Sequence, residues 1–262
     1  MASQSADLAD RKGTGPVATA ALRLGFLALI LLAWTLAARH APPGLFASPV
    51  AVAKAGIGLA SSGKLWPALA ASLQVYLAGT GLAVMFGGAL GVAMGIWPAL
   101  GRTLDIYVNA LAATPRVAFI PLIIVMLGLG PEAKVLIVFL GAVMPIVLNA
   151  HAGVQAADPD LLEMAASTGA SRGRILWHVI LPGAVPFLIT GIRIGSTIGL
   201  INTIVAELYT AISGLGGLLA VYGSRFQMAE YLAVVIVLVL IGVGMTEALR
   251  LVSQRLMRWR DV

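Results

Sequence analysis

Long apolar runs separated by short polar breaks dominate the chain. Six of them cover residues 22–38, 66–96, 106–129, 133–152, 185–208 and 229–252. An apolar helix of about 20 residues crosses the ~30 Å hydrocarbon layer, so each run reads as a span. The first run, behind Arg11, Lys12 and Arg23, also has the outline of a signal peptide. Its long charged lead and the spans that follow favour a retained helix. Residues 39–64 are polar to amphipathic: Pro42 and Pro43 end the first helix, and Ser48-Pro49 supplies an N-cap with proline at the first helical position. A short helix to about Ser61, lying on the membrane face, follows from that signal. Residues 66–96 exceed the length of a perpendicular crossing and should tilt or project. Pro115 and Pro121 break the third run, and Pro145 lies inside the fourth. A hydrophilic segment at 155–178 and a glycine-rich loop at 209–227 flank the fifth.

Composition agrees with this pattern. Of 262 residues, 60% are hydrophobic and only 11% charged, against about a quarter charged in a soluble domain. The net charge of +6 at first suggests nucleic acid, but the basic residues sit between apolar runs and read as topology signals. Six spans put both termini on one side. With that side cytoplasmic, Arg11, Lys12, Arg23, Arg102, Arg172, Arg174, Arg250, Arg255, Arg258 and Arg260 lie inside. Arg39, Lys54, Lys64, Lys134 and Arg225 lie outside, and ten against five favours this orientation. The chain contains no cysteine, which removes disulfides and thiolate chemistry, and His151 and His178 have no metal-ligand spacing.

Within the spans, Gly79, Ala83, Gly87, Gly91 and Gly95 recur every four residues as one smooth stripe. The stripe reads first as close helix packing and second as a sliding surface for gating. Each span proline frees a carbonyl that must face protein or water. The fifth span carries Arg193, Ser196, Asn202, Thr203 and Glu207, and offsets of three, seven and four place Arg193, Ser196, Thr203 and Glu207 along one face. These residues read either as pathway lining, joined by Asn109, Arg116 and Asn149, or as a hydrogen-bonded helix seam. Arg116, directly after Pro115, either faces an aqueous cavity or snorkels to an interface.

The segment Asp158-Pro-Asp-Leu-Leu-Glu-Met-Ala-Ala-Ser-Thr-Gly169 carries the most information. Asp158-Pro159 starts a short helix, Leu161, Leu162, Ala165 and Ala166 give it an apolar face, and Gly169 ends it. A loop helix of this form suits a partner's groove or a membrane surface. The loop resembles the EAA signature of type I ABC-importer permeases: Glu163, Ala165, Gly169, Leu181 and Pro182 match at the right spacing. Met164 replaces the first alanine and Val179 the isoleucine. Pro121-Leu-Ile123, Gly128 to Lys134, Ile204 to Glu207, Ser213 to Gly216 and Arg258-Trp-Arg260 are similar to the nitrate/sulfonate/taurine subfamily.

The resemblance implies an all-α polytopic protein of about six transmembrane helices with the type I permease fold. Residues 1–21 form a cytoplasmic tail, 22–252 the permease domain with a coupling loop at about 156–182, and 253–262 a basic tail. Glu163, Met164, Ala165, Ala166, Gly169, Ala170, Leu181 and Pro182 are then the ATPase-coupling residues. The implied partners are a cytoplasmic ABC ATPase dimer, a periplasmic or lipid-anchored substrate-binding protein, a second permease copy in a homodimer, and membrane lipid. The implied place is the bacterial inner membrane. Closure of the ATPases on ATP would push the coupling helix and open the pathway outward, and hydrolysis would reset it. No Gly-x-x-x-x-Gly-Lys-Ser/Thr loop occurs, so ATP and magnesium belong to the partner, and this chain is expected to bind no cofactor or metal and to catalyse nothing. The expected cargo is a small anion such as a sulfonate, taurine or nitrate, with riboflavin or pyrimidine-type substrates as the alternative. A self-sufficient secondary transporter would call for an inverted repeat, and a membrane enzyme for convergent acid, base or metal groups; the sequence displays neither.

Overall fold

A computed structural model describes residues 16–42, 44–211 and 213–256, all helices and connections with no strand among them. Arg11, Lys12, Arg258 and Arg260, assigned above to the cytoplasmic side, lie outside the described residues. Helix α1 (Pro16–His40) is followed by α2 (Pro49–Ser61), α3 (Leu65–Ile96) and α4 (Pro98–Ala113). Next come a 3-10 turn (Arg116–Phe119), α5 (Ile120–Leu127), α6 (Pro131–Gln155) and α7 (Pro159–Ser167). Helix α8 (Arg172–Ile175) passes through a π turn (Leu176–Ile180) into α9 (Leu181–Thr210), and α10 (Gly214–Ser224) and α11 (Met228–Leu256) close the chain.

Proline chemistry sets most of the boundaries. The residue before a proline is driven out of the helical region, and both Trp97 (ψ 99°) and Thr114 (ψ 133°) are extended ahead of Pro98 and Pro115. The second of these breaks bends Pro98–Ala113 against Arg116–Leu127 by 84°, the geometry of a broken span or a re-entrant loop. Pro121 does not break anything; it stands in the first turn of α5, where its missing N–H is harmless. Five helices are long and apolar enough to cross a membrane, or six with the bent pair counted as one span. At the start of α2 the Ser48 hydroxyl accepts from the Ala51 N–H at 3.3 Å, as its Ser-Pro signal implied.

Helix α6 is the centre of the bundle, with α3 against one side and α9 against the other. The α3 stripe makes the first contact possible. A Cβ at Gly79 would lie 2.6 Å from Val138, one at Gly87 3.0 Å from the Val143 carbonyl, and one at Gly91 2.6 Å from Ala150 Cβ. Ala83 is fully buried in the same row. Glycines of α6 and α9 repeat the device on the other side, where Gly191 meets Asn149 and Gly195 meets Ala142 and Ile146. Without a hydrophobic driving force between helices in lipid, close backbone approach supplies the packing energy. Helix α1 stays outside, with none of its spanning window buried, tied on by the Trp34 indole N–H donating to the Ala47 carbonyl at 3.0 Å.

Two sequence expectations change. The glycine-rich segment at 209–227 is not a loop: its middle is α10, whose Leu215, Leu219 and Tyr222 pack with Val52, Leu65 and Val234 from α2, α3 and α11. The fifth span also begins earlier than residue 185, because one continuous helical path runs Arg172–Thr210 through the π turn.

Candidate coupling loop and buried polar seam

Helix α7 stands clear of the bundle, with no buried residue along its nine. Local chemistry therefore holds it together. The Asp158 carboxylate caps its start, accepting from the Asp160 N–H at 2.9 Å. At its end the Gly169 N–H donates to the Ala166 carbonyl (2.9 Å) and the Ala170 N–H to the Ala165 carbonyl (3.2 Å). These two bonds form a Schellman cap, and Gly169 has the left-handed φ of 79° that such a cap requires. Leu161 and Met164 are 47% and 61% exposed, with Glu163 exposed between them. Leu162 turns inward and, with Gly95, Ile96, Val154, Leu176 and Ile180, lines a cavity of about 620 Å³ under the loop. Leu181 and Pro182 begin α9 beyond the π turn, half-buried, so the residues that match the signature divide between the free helix and the foot of a long helix.

Midway along the bundle, Arg116 fastens the bent pair to α6. Pro145 has no N–H and therefore leaves the Gly141 carbonyl without its helical donor. The Arg116 guanidinium takes that carbonyl at 2.9 Å and also the Ala112 carbonyl, orphaned by the break at Pro115, at 3.2 Å. It does not snorkel. The fifth-span residues separate by direction. At about 100° per residue, Arg193 lies about 60° round the helix from the mean of Ser196, Thr203 and Glu207. Those three are buried, while Arg193 is exposed and does not share their face. Ser196 and Gly199 meet Tyr76 and Thr80 of α3. Asn202 turns to Gly141 on α6 and donates to the Ile198 carbonyl at 3.1 Å. Thr203 and Asn149 bond back to the Gly199 and Pro145 carbonyls of their own helices, and Asn109, exposed on α4, donates to Asp105.

At the opposite end Glu207 is completely buried. Its carboxylate accepts from the Ser72 hydroxyl at 2.8 Å and from the Gly216 N–H at 2.9 Å, and Ser72 in turn accepts from the Leu215 N–H at 2.8 Å. Leu215 and Gly216 are the second and third residues of α10, so a side chain from α9 supplies the missing N-cap of another helix. Buried Lys134 donates to the Ser213 hydroxyl at 2.8 Å, just before α10. Ser72, Lys134 and Ser213 are absent from the sequence-derived site residues, since lone polar residues in separate runs give no local signal of meeting. A lysine opening an apolar run was the one available hint. No cluster of three or more His, Cys, Asp or Glu fit for a metal exists among the described residues.

Residues 83–258 match a family described as the inner membrane component of binding-protein-dependent transport systems. The chain is 34% identical over 245 residues to the taurine transport system permease protein TauC of Escherichia coli, covering 91% of this chain and 89% of that one. It is 34% identical over 213 residues to the putative aliphatic sulfonates transport permease protein SsuC of the same organism, 81% of each chain. It is 31% identical over 218 residues to the riboflavin transport system permease protein RibX of Chloroflexus aurantiacus, 83% of this chain and 81% of that one. Its fold is similar to an inward-facing MetNI methionine ABC transporter (TM-score 0.62, 20% identity, 71% of this chain and 93% of that one). It is also similar to an amino acid ABC transporter solved with histidines (TM-score 0.64, 17% identity, 76% and 97%).

Proposed function

The chain belongs to the family of binding-protein-dependent transport inner membrane components, and from that premise we propose how its parts divide the work. As the permease subunit of an ABC importer it is not an enzyme; a partner ATPase hydrolyses ATP and a binding protein delivers substrate. In our reading the cargo is a small sulfonate or taurine, supported by the two relatives at 34% identity; the relative named for riboflavin is at 31%. The permease works as a homodimer among membrane lipids, both termini face the cytoplasm, and ATP and magnesium stay on the partner. Nucleic acid has no part.

One observation carries the coupling role. Helix α7 is capped at both ends yet has no buried residue, and it lies in the chain between α6 and α9, which pack against each other. A self-supporting helix with exposed Leu161 and Met164 is a rigid knob for a groove on another protein. Glu163 to Ala170 would seat in the ATPase, and Leu181 and Pro182 would pass the displacement into α9. For the pathway, Asn109, Arg116, Asn149 and Arg193 remain the proposed contributors. Ser196, Asn202, Thr203 and Glu207 contribute instead by fixing the seam behind it, in keeping with their burial. The test is ATPase stimulation by loaded binding protein in the reconstituted complex. Glu163→Ala and Gly169→Val should lower stimulation at least severalfold while the permease still inserts; normal import by both variants would remove α7 from the coupling role.

A further inference from the structure

We infer that Arg116 is the residue that reads the charge of the cargo, an inference that rests on the anion-import reading above. Gly141, its partner, lies ten residues into α6 (Pro131–Gln155), so the guanidinium sits about 15 Å from that helix end, deep in the apolar layer. A cation at such depth is expensive and ordinarily faces an opposite charge or a cavity. Among the described residues Arg116 has no ion-pair partner. The one ion pair among the described residues, Arg250 with Glu247, is exposed far along α11. The partners of Arg116 are the Gly141 and Ala112 carbonyls, which engage two of its five N–H donors and none of its net charge. Its Nε–H is buried without a partner.

A structural role alone does not call for arginine here. Two neutral N–H donors would serve the Gly141 and Ala112 carbonyls. What arginine adds is a fixed positive charge and a planar fork with spare donors, the pairing geometry of sulfonate and carboxylate groups. Arg193, on α9, is exposed and has no hydrogen-bonded seat of this kind, and buried Lys134 is already taken up by the Ser213 hydroxyl. The two carbonyls hold the Arg116 charge in place while the helix break leaves it half-exposed, so a passing anion meets a cation that is already oriented.

The experiment compares wild type, R116K and R116Q as full complexes with ATPase and binding protein in proteoliposomes. Import of ethanesulfonate, taurine and nitrate is read at saturating loaded binding protein, alongside thermal unfolding. Glutamine keeps a donor for the Gly141 carbonyl, and lysine keeps the charge. We expect import turnover to fall at least tenfold in R116Q and clearly less in R116K, with similar unfolding temperatures for the two. Equal turnover in the two variants, turnover of R116Q within twofold of wild type, or failure of both to fold would overturn the assignment. Failure of wild type itself to import any of the three anions would instead refute the underlying anion reading, and the inference with it.

Discussion

Replacing Glu207 separates a seam residue from a pathway residue. In Glu207→Ala the Gly216 N–H and the Ser72 hydroxyl lose their acceptor in a site closed to water. Each orphaned buried donor costs about 1–3 kcal/mol, and loss of the charge at the α10 N-terminus adds about 0.3–1 kcal/mol. The sum is about 4 kcal/mol, concentrated on the first turn of α10. Glu207→Gln keeps an acceptor for Gly216 and most of the shape but loses the charge that faces the helix terminus and nearby Lys134, so about 1–2 kcal/mol is expected. Hydrogen exchange of a peptide spanning residues 213–224, in nanodiscs, reports this directly. A change of 4 kcal/mol corresponds to about a thousandfold loss of protection, and 1–2 kcal/mol to about five- to thirtyfold. A peptide covering α7, at the opposite end, should be unchanged. Wild-type protection at residues 215 and 216 in Glu207→Ala would refute the capping account, as would equal effects of Ala and Gln.

Other consequences follow from the same contacts. Gly91→Ala places a methyl against the Val147 carbonyl and Ala150, so α3 and α6 must part; thermal unfolding should show a loss of about 1–3 kcal/mol. Gly88→Ala, three residues earlier with nothing within 4 Å, should be neutral or slightly stabilising in the same assay. Gly169→Ala meets no atom within 4 Å but must hold φ 79°, at a cost of about 1–2 kcal/mol. Faster exchange in α7 and weaker ATPase stimulation should result, with an unchanged melting temperature for the bundle, and Gly169→Asn should be milder. Asp158→Ala removes the N-cap, about 1 kcal/mol, and should speed exchange at the start of α7 without touching α10.

The features legible in the sequence were those written in local chemistry. Apolar run length located the spans, Ser48-Pro49 and Asp158-Pro159 located two helix starts, and the four-residue glycine spacing marked the close-packing face of α3, though not its partner α6. Long-range partnerships were not legible. Gly214, Gly216 and Gly217 resemble loop residues when read along the chain. In space, glycine at 214 and 216 admits the Glu207 side chain and the α9 backbone, since a Cβ at Gly216 would lie 2.6 Å from Glu207 Cβ and 2.7 Å from the Ile204 carbonyl. Ser72 reaches Glu207 across 135 residues, a pairing that no periodicity encodes. The offset rule that grouped Arg193 with Ser196 fails for a plain reason: three residues cover about 300°, and an error of 60° is enough to turn a side chain from a seam to a free surface. Pro145 announced a freed carbonyl, but the identity of its donor, Arg116, emerged only from the 84° bend that brings the bent pair back to α6.

ATP-dependent accumulation of taurine or an alkanesulfonate in proteoliposomes, with permease, ATPase and binding protein each omitted in turn, tests the central claim most directly. The account requires accumulation only when all three proteins and ATP are present, with Gly169→Val uncoupling hydrolysis from import. Accumulation by the permease alone, or import unchanged when the ATPase is left out, would contradict it.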